Sequence, residues 1–147
     1  MTLKHLTLIS AGIGDLAMVE IAKGIQEAIC LEFIDLRHNH FERVGFEALI
    51  TALKSTMACK VLYLEGFHLE MIEARLLTDF LKQPGCLLGE LDLVQAELDY
   101  NVLEHLVAAL SKCKRLNSVN FSKNNLAIDE VDLTDDSDAS FVSEHSH

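Results

Sequence analysis

Three histidines and two glutamates have the types and spacing that come closest to a metal centre. His38 and His40 form a His-x-His pair with Glu42 just after it, and His68 lies two residues before Glu70. A structural zinc site needs four ligands, and a catalytic site needs three ligands with outer groups that orient them. This spacing matches neither arrangement. The sequence therefore predicts no metal and favours solvated histidines in the turns.

Other candidates for chemistry are weaker. The stretch Ala11-Gly12-Ile13-Gly14 is too short to form a phosphate-binding loop. Asp35 and Asp92 are paired carboxylates, but we expect them on an open surface without a cavity that would make them an acid and a base. No nucleophile has a matched base. The sequence predicts a protein that is not an enzyme and uses no cofactor.

The cysteines give the first sign of a repeated unit. Cys30, Cys59, Cys86 and Cys113 recur at nearly equal intervals along the chain. These intervals are too large and too regular for the cysteine pairs of zinc sites. Because a buried thiol most often fills space in an apolar interior, we interpret all four as structural residues.

Composition limits the partners and the number of domains. The chain has 147 residues, of which 50% are hydrophobic, and this suits one compact domain. Its 23 acidic and 12 basic side chains give a formal charge of −11, which disfavours nucleic acid and anionic membranes as partners. Charged residues interrupt every apolar run before it reaches the roughly 18 residues of a membrane helix. We expect a cytosolic protein with basic or neutral partners.

Five segments share the apolar spacing L-x-x-L-x-L-x-x-N/C-x-L. They begin at Leu3, Leu31, Cys59, Leu88 and Leu116, so each unit has nearly the same length. Between them, apolar residues recur at i, i+3, i+4 and i+7, as on a helix that packs on a core. The predicted helix stripes are Met18, Ile21, Ala22, Ile25; Phe46, Leu49, Ile50, Leu53; Ala74, Leu77, Thr78, Leu81; and Leu103, Leu106, Val107, Leu110. Each of the first four units is predicted to be a strand, a turn and a helix.

A proline and a cysteine precede the strand residues in the segment Gln83-Pro84-Gly85-Cys86-Leu87-Leu88-Gly89-Glu90-Leu91-Asp92-Leu93. With the unit length over residues 3–126, this segment resembles the ribonuclease-inhibitor-like class of leucine-rich repeats. The resemblance implies an α/β solenoid, a horseshoe arc of about five repeats with a parallel sheet on its concave side and helices on its convex side. It also implies that residues 1–126 form a leucine-rich-repeat domain that binds another protein, for example by masking an enzyme's active site.

The ninth position of each unit predicts how well its turn is held. Asn39 and Asn124 occupy this position, and their amides can bond backbone groups that are freed where the strand bends. Ala11, Phe67 and Ala96 occupy it in the other units and cannot supply these bonds. We expect those three turns to be looser.

The first edge of the predicted sheet is uncapped. Leu3 starts a strand at once, and the edge from Leu3 to Ile9 lacks the polar outer face that terminal repeats normally have. Self-association through this edge, or completion of a larger solenoid, is therefore an alternative to partner binding.

Strand alternation places three residues of each unit on the concave face. An apolar patch of Phe33, Val61 and Tyr63 is expected there, flanked by Ile9 and Val94. Acidic side chains surround it, which is typical of a protein-binding hot spot whose acids steer a basic partner. We also expect Arg37 to pair with Glu65 across neighbouring strands. The predicted partner-binding residues are Phe33, Asp35, Arg37, Val61, Tyr63, Glu65, Glu90, Asp92 and Val94.

Residues 127–147 hold seven acidic side chains and no Lys or Arg, interleaved with serines. This composition favours a disordered acidic tail, although Ile128, Val131 and Leu133 are placed to cover the last unit. The tail is similar to the C-terminal secretion signals of effectors that intracellular bacteria such as Legionella inject into host cells. That resemblance implies delivery into a host cytoplasm, and the alternative is a tail that only adds solubility.

The leading interpretation is that the chain is a protein-binding module. In the most specific form of this interpretation, the chain is a bacterial effector that inhibits another effector or a host enzyme. An assembly module that uses the uncapped edge is the first alternative. A metal-dependent enzyme built on His38, His40 and His68 is the second.

Overall fold

A computed structural model describes residues 2–126 of the chain, so the acidic segment predicted at 127–147 lies outside the described residues. Five short strands alternate with four helices. The strands are β1 (His5–Thr7), β2 (Phe33–Asp35), β3 (Val61–Tyr63), β4 (Glu90–Asp92) and β5 (Ser118–Asn120), and the helices are α1 (Asp15–Glu27), α2 (Arg43–Thr56), α3 (Met71–Leu81) and α4 (Tyr100–Leu110). Within these residues, no helix has the length and apolarity needed to cross a membrane.

The five strands form one parallel sheet in chain order, β1-β2-β3-β4-β5. His5 pairs with Phe33, Phe33 with Val61, Val61 with Glu90, and Glu90 with Ser118. Each partner follows one repeat unit later, so the strand register reproduces the spacing of the sequence. The prediction of parallel strands alternating with helices is confirmed.

The core lies between the sheet and the helices, because each strand turns an apolar residue and each helix an apolar stripe toward it. Ile34, Leu62 and Leu91 at the strand centres are at most 1% exposed. The stripes predicted for α2 and α3 are fully buried against the same core. Full burial of one such side chain stabilises a fold by about 1.5–3 kcal/mol. The units therefore share one core and depend on their neighbours for stability.

Asn39 holds two neighbouring turns together. Its Nδ2 donates to the carbonyl of Leu36 in the same unit at 3.0 Å and to the carbonyl of Leu8 in the preceding unit at 2.7 Å. Its Oδ1 accepts from the amides of Ala11 and Ile13 at 3.0 and 3.1 Å. The predicted backbone bonding by this asparagine is confirmed, and it extends to the turn before its own.

The expectation of looser turns at the alanine positions is wrong. Asn124 bonds the turn that contains Ala96 in the same way that Asn39 bonds the turn at Ala11. In both places the asparagine of the following unit supplies the bonds that alanine lacks. The turn at Phe67 is filled by packing, because the Phe67 ring stacks on Phe46 with the ring centroids 4.7 Å apart.

Helix α2 begins at a cap that comes from α1. The Oδ1 atom of Asp15 accepts from the amides of Glu42 and Gly45 at 2.8 and 2.7 Å, which satisfies donors that a helix start leaves free. A Cβ atom at position 45 would lie 2.8 Å from this Oδ1 and 2.9 Å from the Cβ atoms of Met18 and Phe41. Gly45 therefore permits the close approach of α1 to α2.

Only part of the cysteine prediction holds. Cys59 and Cys86 are buried, Cys113 is half-buried, and Cys30 is exposed. Burial raises the pKa of the Cys59 thiol to about 12, so this cysteine is an inert core residue. The interpretation of Cys30 as a core residue is wrong, because the next residue, Leu31, fills the buried position at the start of its unit.

Strand β1 lies at one edge of the described sheet. Within residues 2–126 it pairs with β2 alone, and Leu3 and Ile9 are each 43% exposed. On α1, Leu16 is 88% exposed. A hollow of about 200 Å³ at this end is lined by apolar residues, including Leu6 and Ile21.

Candidate protein-binding site

The side of the sheet opposite the helices is called the open sheet face. The central residue of each strand belongs to the core side, so the residues on either side of it project from the other side. The face comprises His5, Thr7, Ile9, Phe33, Asp35, Arg37, Val61, Tyr63, Glu65, Glu90, Asp92, Val94, Ser118, Asn120 and Ser122. The register thus brings all the predicted partner-binding residues to one side of one sheet.

A row of aromatic rings crosses β1, β2 and β3 on this face. The ring centroids of His5 and Phe33 are 5.4 Å apart. Those of Phe33 and Tyr63 are also 5.4 Å apart, with an angle of 80° between the planes. Phe33, Tyr63 and the adjacent Val61 are half-buried, so each leaves part of its surface to solvent. His5 is not among the predicted partner-binding residues. The sequence signal that identifies His5 is its position one repeat unit before Phe33.

Tyr63 is fixed by neighbours on both sides. Its hydroxyl donates to the Glu90 carboxylate on β4, and the Arg37 guanidinium carbon lies 5.2 Å from the ring centroid. The bond to Glu90 raises the pKa of the Tyr63 hydroxyl above its ordinary value, and desolvation adds to this shift. The Tyr63 ring is therefore held in one position by its neighbours.

Arg37 pairs within its own strand segment. Its Nε lies 2.9 Å from Asp35 Oδ1 and its Nη2 lies 2.7 Å from Asp35 Oδ2, a two-pronged contact. The predicted pair between Arg37 and Glu65 is wrong, and Glu65 lies 3.2 Å from His38 Nε2 instead. Asp35 and Arg37 are two residues apart on the same side of one extended segment, and such positions are only about 7 Å apart. The guanidinium therefore reaches Asp35 without crossing to β3.

Asp35 and Asp92 are buried, which corrects the expectation of exposed acids. They are 2% and 9% exposed, because they flank Tyr63 in the sheet and fold back on their own strands. Asp35 accepts from the amide of Arg37 at 3.2 Å, and Asp92 accepts from the amide of Val94 at 2.8 Å. Burial is also the main cause of a raised pKa at the Asp92 carboxyl. These aspartates fix the strand ends beside Tyr63.

Val94 is buried as well, although an exposed flank of the patch was expected. Its side chain is 5% exposed, because the position lies between the strand ends at Glu65 and Ser122. The carbonyl of Val94 accepts from the amide of Gly66 at 2.9 Å, which draws the neighbouring turn close to it. The other expected flank, Ile9, is exposed.

The charges on this face leave it negative. Arg37 neutralises Asp35, whereas Glu65, Glu90 and Asp92 have no Lys or Arg nitrogen within 4.0 Å in the described part of the chain. Glu65 and Glu90 are half-buried and reach the surface. The two carboxylates therefore add negative charge to the open sheet face.

The three histidines do not converge on one point. His38 lies 3.2 Å from Glu65, while His68 lies 3.6 Å from Glu97. Between residues 2 and 126, no group of three or more His, Cys, Asp or Glu is placed to hold a metal ion. The geometry here supports separate His–carboxylate contacts at the strand ends.

The chain is distantly similar to a known protein. No family model matches the chain. It is 31% identical over 126 residues to the ribonuclease inhibitor of Sus scrofa, a match that covers 85% of this chain. The chain spans 28% of that relative's length. This likeness and the parallel sheet that alternates with helices fit a leucine-rich-repeat-like fold.

Proposed function

We propose that this chain is a leucine-rich-repeat module of the ribonuclease-inhibitor-like class that binds another protein through the open sheet face. The observation that carries the proposal is the row of rings from His5 through Phe33 to Tyr63, which crosses three neighbouring strands. A sheet of evenly stacked strands is a rigid platform. Aromatic groups fixed on such a platform are the usual anchors of protein interfaces.

Because Asp35, Asp92 and Val94 are buried rather than exposed, the proposed site divides into residues that contact the partner and residues that support them. Phe33, Val61 and Tyr63 keep accessible surface and form the apolar centre of the contact. Asp35 and Asp92 lie beneath the surface and hold the strand ends beside Tyr63. Val94 likewise acts by packing. Direct contacts are therefore assigned to the rings and to the half-buried charges Arg37, Glu65 and Glu90.

The partner is a protein with a basic or mixed apolar and basic surface. Lys or Arg side chains of the partner would meet Glu65 and Glu90 at the rim, while an apolar group would cover Phe33 and Tyr63. Charge at the rim mainly raises the association rate, whereas the buried rings slow dissociation. Binding is therefore expected to weaken only moderately with added salt.

The form of binding that we favour is inhibition without catalysis. The name of the Sus scrofa relative states that it inhibits a ribonuclease, and by analogy this chain would mask a functional surface of its own partner. Delivery of the chain into a host cytoplasm as a bacterial effector is the most specific form of the proposal. That form rests on the acidic composition of residues 127–147.

Affinity capture with three baits tests the proposed site. The baits are the wild-type chain, a Phe33→Asp/Tyr63→Arg variant, and a control variant that changes two exposed residues of the helices, Val44→Asp/Ile72→Arg. Quantitative mass spectrometry of bacterial and eukaryotic lysates should identify a protein retained by the wild type and the control. Retention by the open-sheet-face variant should be at least tenfold lower.

Circular dichroism of each bait establishes that the variants are folded. If all three folded baits retain the same proteins in equal amounts, the open sheet face is not the binding site. Loss of the protein from the control variant alone would place the site on the helices instead.

Assembly through the first edge is the second candidate function. The observation that favours it is the apolar hollow under β1 together with the exposed side chains of Leu3, Ile9 and Leu16. Light scattering of the wild type at rising concentration should then show an oligomer that a Leu3→Lys/Leu16→Lys variant does not form. A monomer at all concentrations would exclude this function.

A further inference from the structure

A cluster of positive charge lies at the opposite end of the sheet from β1, in a molecule whose formal charge is −11. Four of the 12 basic side chains, Lys82, Lys112, Lys114 and Arg115, line one hollow of about 350 Å³. The hollow opens between the segment that connects α3 to β4 and the segment that connects α4 to β5. Like charges at this density repel one another unless an anion lies among them.

These four cations take part in none of the ion pairs among the described residues. In residues 2–126, no carboxylate oxygen lies within 4.0 Å of the side-chain nitrogens of Lys82, Lys112, Lys114 or Arg115. Five other basic side chains, Lys23, Arg37, Arg43, Lys54 and Lys60, do form ion pairs. Lys4, Arg75 and Lys123 have none within the described residues and lie outside the hollow. The carboxylates within residues 2–126 thus leave this group of cations available to another ligand.

The walls of the hollow are apolar beneath the charges. Leu81, Cys86 and Leu88 are buried there, and Cys113 and Leu116 are half-buried. A basic rim over an apolar floor suits a peptide that carries carboxylates next to aliphatic side chains better than it suits a small hydrated anion.

We propose that the acidic segment 127–147 of the same chain binds across this hollow. The segment has seven Asp and Glu and no Lys or Arg, and it includes the aliphatic residues Ile128, Val131 and Leu133. Its carboxylates would pair with the four free cations, and its aliphatic side chains would cover the floor beside Cys113. This proposal is independent of the function of the open sheet face.

The length of the chain allows this contact. Leu126 follows Leu116 on the wall by ten residues, so the two are at most about 35 Å apart. The segment from 127 to 147 spans up to about 70 Å when extended. A tether of this length gives an effective concentration of order mM, whereas a separate polyanion must approach a molecule of net negative charge. These considerations favour the chain's own segment as the occupant.

Zero-length carbodiimide cross-linking of the full chain tests the proposal, because it joins a carboxylate to a lysine amine only when the two are in contact. Tryptic peptides from an equimolar mixture of unlabelled and ¹⁵N-labelled chains are analysed by mass spectrometry. Cross-links from the segment 127–147 to Lys112 and Lys114 should be at least tenfold more frequent than those to Lys123 and should join peptides of one isotope. Lys123 is the matched control, because it is exposed, has no ion pair within residues 2–126 and lies closer in sequence to the segment.

Three results would overturn the proposal. Cross-links that favour Lys123 would show only proximity along the chain, and mixed-isotope cross-links would show that the acidic segment of a second copy occupies the hollow. No cross-link to Lys82, Lys112 or Lys114 would show that the segment does not bind there. An Asp135→Asn/Asp136→Asn/Asp138→Asn variant keeps the other carboxylates reactive, and we expect its cross-links to Lys112 and Lys114 to fall at least threefold.

Discussion

Among single residues, Tyr63 connects most of the features that define the open sheet face. Its ring meets Phe33 edge to face, its hydroxyl donates to Glu90, and Arg37 lies over the ring. Each contact comes from a different strand or strand end. The position of this one side chain therefore depends on the correct register of β2, β3 and β4.

The bond between Tyr63 and Glu90 predicts a measurable titration. The hydrogen bond to the Glu90 carboxylate is the main cause of the raised pKa of the Tyr63 hydroxyl, and Glu90→Gln replaces this charged acceptor with a neutral one. We expect the ionisation of Tyr63, followed by ultraviolet absorbance of the phenolate, to move to lower pH in the variant. A Tyr63→Phe variant identifies this transition among the tyrosine signals. An unchanged midpoint in Glu90→Gln would contradict the bond.

The same bond predicts the direction of a change in stability with pH. Because the pKa of Tyr63 is raised in the folded chain, the folded state holds the phenolic proton more tightly than the unfolded state does. This contribution is complete below about pH 10 and is lost as pH rises through the folded pKa. In urea denaturation, the advantage of the wild type over Glu90→Gln should therefore shrink above that pH, and a constant difference would argue against it.

Among the secondary-structure elements, the contact of α1 with α2 depends on one glycine. Gly45→Ala should lower the free energy of unfolding by about 1–3 kcal/mol despite the higher helix propensity of alanine. The physical reason is that the new Cβ would lie within 3.0 Å of Asp15, Met18 and Phe41 atoms. Urea denaturation measures this change.

Gly24 in α1 is the matched control for Gly45. Among the described residues, no atom beyond the adjoining residues and the backbone of α1 itself lies within 4 Å of a Cβ built at Gly24, so Gly24→Ala should stabilise the chain by about 0.5–1 kcal/mol. A loss of stability in Gly24→Ala, or a gain in Gly45→Ala, would be inconsistent with the described helix packing.

The turns make a second prediction at this scale, because one asparagine braces two units. Asn39→Ala removes bonds to Leu8 and Leu36 and leaves the amides of Ala11 and Ile13 without their acceptor. We expect a loss of about 2–4 kcal/mol in the free energy of unfolding.

The control for this turn variant is Asn101→Ala on the exposed side of α4. This change should alter the free energy of unfolding by less than about 0.5 kcal/mol. Equal effects of the two substitutions would mean that the Asn39 bonds do not hold the turns together.

For the whole molecule, the sequence predicts the order and register of the elements because one spacing recurs along the chain. The nearly constant step between units places His5, Phe33, Val61, Glu90 and Ser118 side by side without further information. The apolar stripes likewise predict which side of each helix is buried. These features depend on periodicity alone, so the pattern of apolar and polar residues along the chain is sufficient to predict them.

Features that depend on close contacts between units are not visible in that pattern. Alternation places Asp35 and Asp92 on the open sheet face, but their burial comes from folding back beside Tyr63. Arg37 selects Asp35 over Glu65 by a geometric detail of one strand. The turn at Ala11 is bonded by the asparagine of the next unit. Such contacts depend on which side chains are neighbours in three dimensions. The periodicity shows which units are adjacent but not which of their side chains meet.

The central claim is that Phe33 and Tyr63 anchor a protein partner, and the dissociation constant of that partner tests it most directly. With the captured protein purified, isothermal titration calorimetry compares wild type, Phe33→Ala, Tyr63→Ala and the exposed helix variant Val44→Ala. We predict that each open-sheet-face variant weakens binding by about 30-fold, the equivalent of ~2 kcal/mol for a hot-spot residue, while Val44→Ala binds like the wild type. Dissociation constants equal to that of the wild type in both folded ring variants would contradict the claim.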